Sequence, residues 1–245
     1  MFANIKEIYD FYNLSHSSIA TYTDIEKYIV DLFNHGLSWM ETNSSDSNKL
    51  VWNGTYYRHV EKNYEEMKKY YLMAFAMNNT NAMNNLGHYY QHVEHDYEKM
   101  KTYYFMAINL KNAISTTNLG YYYQYVEKDY EKMKKCYEMA IELNNATSMN
   151  NLGTYYHTVE KDYNKMKKYY LMAIELKNAS AMTNLGHYYR HVEKNYEEMK
   201  KYYFMAIELD DSIVVKCEEN NYFYCDFIKN KIICKKNMKS KIKLL

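Results

Sequence analysis

Two histidine pairs are the residues best spaced to do chemistry. His88 and His92 lie four positions apart, as do His187 and His191. On a helix that spacing stacks two imidazoles on neighbouring turns, an arrangement compatible with zinc. His59 and His95 could add to the first pair, but no cysteine or carboxylate recurs beside either pair, and the two pairs are far apart. Neighbouring carboxylates occur at Glu65-Glu66 and Glu197-Glu198, on what reads as a solvent face. The chain has no glycine-rich phosphate loop, no G-x-S-x-G and no H-E-x-x-H. The expectation is a non-enzymatic protein with no cofactor and no metal.

The elements that would carry these residues follow from one block, read most cleanly from Asn118 to Leu143. Its glycine returns at Gly54, Gly87, Gly120, Gly153 and Gly186, always 33 residues apart. A fixed period of this length marks a repeat array whose units bury their apolar faces on one another. The units run 47–79, 80–112, 113–145, 146–178 and 179–211. In the second half of each, Tyr64, Met67, Tyr71 and Ala74 and their equivalents recur at spacings of three, four and three, one stripe along an α-helix. Met83, Leu86, Tyr90 and Val93 give the same spacing in a first half. Each unit is therefore a helical hairpin, and the chain is expected to be an all-α solenoid.

The punctuation agrees. Asn63, Asp96, Asp129, Asp162 and Asn195 precede the second stripe, where a short acceptor can cap free amides. Glu66 and Glu198 complete a capping-box spacing in units 1 and 5. Unit ends at Asn78-Asn79, Lys111-Asn112, Asn144-Asn145 and Lys177-Asn178 suit a left-handed exit without proline. A glycine inside a helix costs about 1 kcal/mol against alanine. Its return at five equivalent places implies a close approach of the two helices of a hairpin.

Outside the array, residues 1–46 read as a helical cap or decayed repeat with a polar linker. Thr23 to Glu26 has capping-box spacing at the start of its second helix. Residues 212–245 read as a C-terminal cap and a basic tail. Ser212 to Asp226 fits a capping helix or a short hairpin equally, and the tail from Phe227 reads as helical or frayed. Seven of the 31 basic residues and none of the 30 acidic ones fall in 227–245, which leaves the rest of the chain at net −6. That tail could attract phosphates, acidic headgroups or an import receptor, giving an alternative function in nucleic-acid or anionic-membrane binding. The four cysteines, Cys136, Cys217, Cys225 and Cys234, follow no zinc or per-repeat disulfide spacing, and reduced thiols fit an intracellular location. There is no basic-then-apolar leader at the N-terminus and no 18-residue apolar run.

The string A-x-x-N-L-G-x-Y-Y followed by the Val, Asp, Met, Tyr and Ala columns resembles the Sel1-like repeat, a relative of the tetratricopeptide repeat. The likeness is good over 80–211 and partial over 47–79. The loop between the helices is trimmed, Gly87 to Asp96 spanning nine residues, and methionine replaces the usual small residue at Met67, Met100, Met133, Met166 and Met199. The shortened, asparagine-rich, proline-free form looks like repeats encoded by large DNA viruses of amoebae. The resemblance implies a right-handed superhelix that serves as a scaffold or adaptor for a protein or peptide partner.

It also implies that first helices line a concave surface. The residues that would face it are Asn85, Asn118, Asn151 and Asn184; then His88, Tyr121, Thr154 and His187; then Arg58, Gln91, Gln124, His157 and Arg190. The asparagines could grip a peptide backbone through paired donor and acceptor, or hold one repeat to the next. The other two columns vary while the core columns do not, as either a sequence-reading groove or an unconstrained surface would. The Lys68 and Glu61 columns, constant in every repeat, read as a solvated, ion-paired face.

Overall fold

The computed structural model describes residues 46–209 and, as backbone strands, 215–217, 221–226 and 231–236. The expected N-terminal cap therefore lies outside the described residues except for Asp46, as does most of the lysine tail. The chain divides into two compact units, residues 1–145 and 146–245.

The first unit holds three helical hairpins: α1 (Ser47–His59) with α2 (Tyr64–Ala76), α3 (Thr80–Tyr89) with α4 (Tyr97–Asn109), and α5 (Ala113–Tyr122) with α6 (Tyr130–Glu142). The second holds two: α7 (Ala146–Tyr155) with α8 (Tyr163–Glu175), and α9 (Ala179–Tyr188) with α10 (Tyr196–Leu209). Within each unit, successive hairpins pack against each other. The apolar stripes read from spacing form the interior. Leu86, Leu119, Leu152 and Leu185 of the first helices are buried, as are Met67, Met100, Met133, Met166 and Met199 of the second.

The caps form as their residue types require. Asn63, Asp96, Asp129 and Asp162 each accept the amide three residues on, and Asn195 accepts that of Glu198. Glu66 and Glu198 do not complete a reciprocal box: the Asn63 and Asn195 amides donate to the Tyr57 and Tyr189 carbonyls, and the two carboxylates pair with Lys69 and Lys201. Asn78, Lys111, Asn144 and Lys177 end the second helices at positive φ.

The short connection within four of the five described hairpins is made in a way that helical periodicity does not show. Helices α3, α5, α7 and α9 widen into π-turns at Tyr90–Glu94, Tyr123–Glu127, Tyr156–Glu160 and Tyr189–Glu193. A single left-handed residue follows each: His95, Lys128, Lys161 and Lys194. The next amide then folds back on the π-turn carbonyl, as in Asp96 to Tyr90 at 2.9 Å and Asp129 to Tyr123 at 2.9 Å. A side-chain bond clamps the widened turn: Tyr89 Oη donates to Glu94 at 2.7 Å, and Tyr188 Oη to Glu193 at 2.9 Å. Residues five apart face each other when a turn holds more than the α-helical 3.6 residues. One extra residue per turn, plus one left-handed residue, replaces a longer loop.

Three of the π-turn glutamates also receive a lysine from the preceding hairpin of the same unit. Lys68 reaches Glu94 at 2.8 Å, Lys101 reaches Glu127 at 2.7 Å, and Lys167 pairs with Glu193. These contacts hold Glu94, Glu127 and Glu193 below the usual carboxylate range, the lysine hydrogen bond being the main cause. The constant charge columns are thus hinges between repeats as well as solvated surface.

In the second unit the chain continues past the hairpins into a three-stranded antiparallel sheet, β1 (Val215–Cys217), β2 (Asn221–Asp226) and β3 (Lys231–Lys236), in the order β1-β2-β3. Phe223 pairs with Val215 on one side and Cys234 on the other. Of the two readings of 212–226, the strand pairing of 215–217 with 221–226 is that of a hairpin. The helical or frayed reading of the tail is corrected over 231–236, where the β-branched pair Ile232-Ile233 lies within a strand.

The five glycines explain why the two helices of a hairpin lie so close. A Cβ at Gly120 would sit 2.7 Å from the Tyr137 ring, and at Gly54, Gly87, Gly153 and Gly186 the corresponding tyrosine would be 2.4–2.7 Å away. Tyr71, Tyr104, Tyr137, Tyr170 and Tyr203 are essentially wholly buried, so the rings have nowhere to retreat. Behind this contact a second pair of rings stacks, as in Tyr90 on Tyr103 and Tyr189 on Tyr202. In the third repeat Cys136 takes the second ring's place, and burial pushes its thiol up to about 11.

Two substitutions test this packing. Gly120→Ala is expected to cost about 1–3 kcal/mol by overpacking, and Gly120→Leu more, read as a lowered thermal midpoint. Asn53 occupies the column filled by Leu86, Leu119, Leu152 and Leu185, and its fully buried amide has no hydrogen-bond partner among the described residues. Asn53→Leu is expected to raise stability by about 1–2 kcal/mol by removing an unsatisfied polar group.

Candidate functional site

The buried tyrosine over each glycine creates the chemical problem that organises the first-helix surface. Its hydroxyl is enclosed and needs a partner. Thr55 serves Tyr71 at 3.1 Å, Gln91 accepts from Tyr104 at 3.0 Å, and Gln124 accepts from Tyr137 at 2.9 Å. In the second unit Thr154 serves Tyr170 at 3.1 Å, and His187 Nδ1 serves Tyr203 at 3.0 Å. The partner comes from one of two places, the residue after the glycine or the residue four after it. The variation of these two columns therefore has a cause besides ligand reading or drift: they exchange the duty of satisfying the tyrosine.

This sorts the residues singled out by sequence. Gln91 and Gln124 are buried and turned inward, and His187 is committed to Tyr203. The asparagine column takes part in stacking: Asn118 Nδ2 donates to Asn84 Oδ1 at 3.0 Å, and Asn184 Nδ2 donates to Asn150 Oδ1 at 3.0 Å. Ser115 Oγ donates to Asn84 as well. Asn85, Asn151 and Arg190 are part-buried on their first-helix segments. His88 is part-buried, and Tyr121 is 48% exposed.

In the first unit two of these positions, Arg58 and His88, meet beside His92, and a third, Tyr121, pairs with Tyr125 one repeat on. Arg58 of α1 donates from Nη2 to His88 Nδ1 of α3 at 2.8 Å. Because a guanidinium only donates, His88 must accept at Nδ1 and carry its proton on Nε2. The His88 ring lies 4.2 Å from that of His92. Burial, then the Arg58 charge, pushes the His88 imidazole down to about 3, and the same two causes lower His92. Both are thus neutral near pH 7. One repeat on, the equivalent positions hold Tyr121 and Tyr125, with ring centroids 4.4 Å apart and half of each side chain exposed. Tyr125 was legible: it stands four after Tyr121, as His92 stands four after His88.

In the second unit the corresponding positions are Thr154 with Thr158, whose hydroxyls donate to helix carbonyls, and His187 with His191. Among the described residues no group of three or more His, Cys, Asp or Glu side chains could hold a metal ion. No described helix is long and apolar enough to cross a membrane. A separate exposed apolar row lies on the second helices, at Leu72, Phe105, Met106 and Met139 in the first unit and Leu171 in the second.

Against solved structures, a Sel1 repeat protein from Oxalobacter formigenes matches over 76% of this chain and 84% of its own, at 22% identity and a TM-score of 0.59. The chain has the Sel1-repeat fold. An antigen of uropathogenic Escherichia coli described as having this fold matches at 21% identity and a TM-score of 0.53, over 68% of this chain and 39% of its own. An immunity protein from Pseudomonas aeruginosa matches at 20% identity and a TM-score of 0.54, over 76% of this chain and 74% of its own. Neither a family model nor a curated protein matches the sequence. The likeness to the Sel1-like repeat read from the A-x-x-N-L-G-x-Y-Y string thus agrees with the solved neighbours at the level of fold.

The buried imidazole makes a pH prediction. Between pH 6.5 and about 3 an unfolded His88 binds a proton that the folded one does not, so stability falls as the pH drops through that window. His88→Gln keeps an acceptor for Arg58 and removes the titration. The variant is expected to lose less stability than the wild type between pH 6.5 and 4, measured as the change in thermal midpoint.

Proposed function

We propose that the protein is a non-enzymatic interaction scaffold that binds a peptide segment of a partner protein on the first-helix face of its Sel1-like repeats. The observation that carries this reading is the Tyr121–Tyr125 pair, two half-exposed rings in contact at a tilt of 44° on an otherwise polar and committed surface. Exposed tyrosines supply large, rigid contact area at low entropic cost and are enriched at binding hot spots. The buried hydroxyl of the third hairpin does not need them, since Gln124 satisfies Tyr137. The second unit has Thr154 and Thr158 at the first equivalent step, so the first unit is the better platform. The likeness of the shortened repeat to those of amoebal viruses extends the reading to a viral protein acting inside a host cell.

Affinity capture with the full chain tests it. A Tyr121→Ser/Tyr125→Ser variant is expected to keep its thermal midpoint and lose partner binding by about tenfold or more. Phe105→Ser/Met106→Ser is expected to leave binding unchanged. The reverse pattern would move the contact to the second helices and overturn the proposal.

A further inference from the structure

The first-helix face of the first unit holds a cation whose charge no described residue balances. Lys68, Lys69, Lys99, Lys101 and Lys132 of the same unit each pair with a carboxylate. Arg58 is part-buried, yet among the described residues it has no carboxylate partner. Its hydrogen bond goes to a neutral imidazole. The acid nearest in sequence, Glu61, is held by the Tyr56 hydroxyl at 2.6 Å. Among the described residues, the groups outside the His88–His92 pair that bear electrostatically on it are Arg58, His59 and His95, and none is a carboxylate. His88 uses one of the guanidinium's five donors, and the rest of the planar fork matches the two oxygens of a carboxylate. His88 adds its Nε2–H to the same neighbourhood.

We propose that Arg58, oriented by His88 beside His92, is the subsite for a single carboxylate of the partner peptide, and that Tyr121 and Tyr125 take an aromatic, aliphatic or proline residue of the same peptide. This rests on the first-helix reading and names the chemistry of its ligand. The spacing follows from packing. First helices of successive repeats touch, as the Asn118–Asn84 bond shows, which sets their axes about 10 Å apart. An extended chain advances about 3.3 Å per residue, so the acidic residue and its apolar companion stand about three residues apart. Charge argues for a peptide rather than a nucleic acid. The subsite carries one formal positive charge at neutral pH, and residues 1–226 are at net −6, whereas a phosphate backbone is bound by many uncompensated cations.

The test is selection of a displayed library of random heptapeptides on the full chain, on Arg58→Gln, and on Tyr121→Ser/Tyr125→Ser. The wild type is expected to enrich Asp or Glu about three positions from an apolar or aromatic residue. Arg58→Gln is expected to lose the acidic preference and keep the apolar one, and the tyrosine variant the reverse. For a selected peptide, replacing its acid by the amide is expected to weaken binding about tenfold to wild type and less than twofold to Arg58→Gln. Arg58→Lys, which keeps the charge without the fork, is expected to retain part of the preference and guards against a folding defect in Arg58→Gln. Apolar enrichment with no acid, or an acidic preference indifferent to Arg58, overturns the carboxylate subsite and leaves the scaffold reading standing. No enriched peptide at all overturns both. Tighter, Arg58-dependent binding of a labelled single-stranded oligonucleotide overturns the choice of a peptide ligand.

Discussion

A tyrosine ring lying on a glycine is the contact on which each hairpin depends. It sets the separation of the two helices, because any Cβ at the glycine would enter the ring. It also takes a phenolic hydroxyl out of water, and a buried donor left unsatisfied costs about 1–3 kcal/mol. The first helix must therefore supply a polar partner at one of two positions, in every repeat. A packing requirement in the core thereby dictates polar chemistry on a face that sequence patterns treat as free. The same economy appears at the hairpin tip, where one glutamate clamps the π-turn from Tyr89 and receives Lys68 from the repeat before.

Much of this was legible in the order of residues. The 33-residue glycine period, the Tyr-Met-Tyr-Ala stripe and the Asn or Asp before it contain the hairpin, its period and its caps, since each is a local preference with one sterically sensible outcome. The π-turns were hidden because Tyr90 and Val93 keep a helical spacing on either reading. Only the five-residue separation of Tyr89 and Glu94 betrays the widening. Lys128 and Lys161 at positive φ gave no warning either, because lysine has no preference for that region, unlike Asn78 and Asn144. The strand at 231–236 is a case of short, lysine-interrupted apolar sequence whose period does not discriminate between helix and sheet.

The candidate face was harder to read than the fold for a related reason. Asn118 and Asn184 present the same side chain whether they grip a ligand or a neighbouring repeat, and geometry alone shows that they bond to Asn84 and Asn150. Gln91 and His187 differ in type and column yet do the same work on Tyr104 and Tyr203. No count of column variability can show that, because the conserved quantity is a hydrogen bond rather than a residue.

That exchange of duties also determines which positions the buried tyrosines leave open. When Thr55 serves Tyr71, the position four after the glycine is released, and it holds Arg58. When Gln91 and Gln124 serve Tyr104 and Tyr137, the position after the glycine is released, and it holds His88 and Tyr121. In the first unit the released positions are filled with a guanidinium, an imidazole and a phenol rather than with small polar residues that would solvate the surface at least cost. Large side chains with one polar end suit recognition better than solubility. The arginine and the imidazole already meet across two repeats at 2.8 Å, so two of the residues that the tyrosine hydroxyls do not need are arranged toward each other.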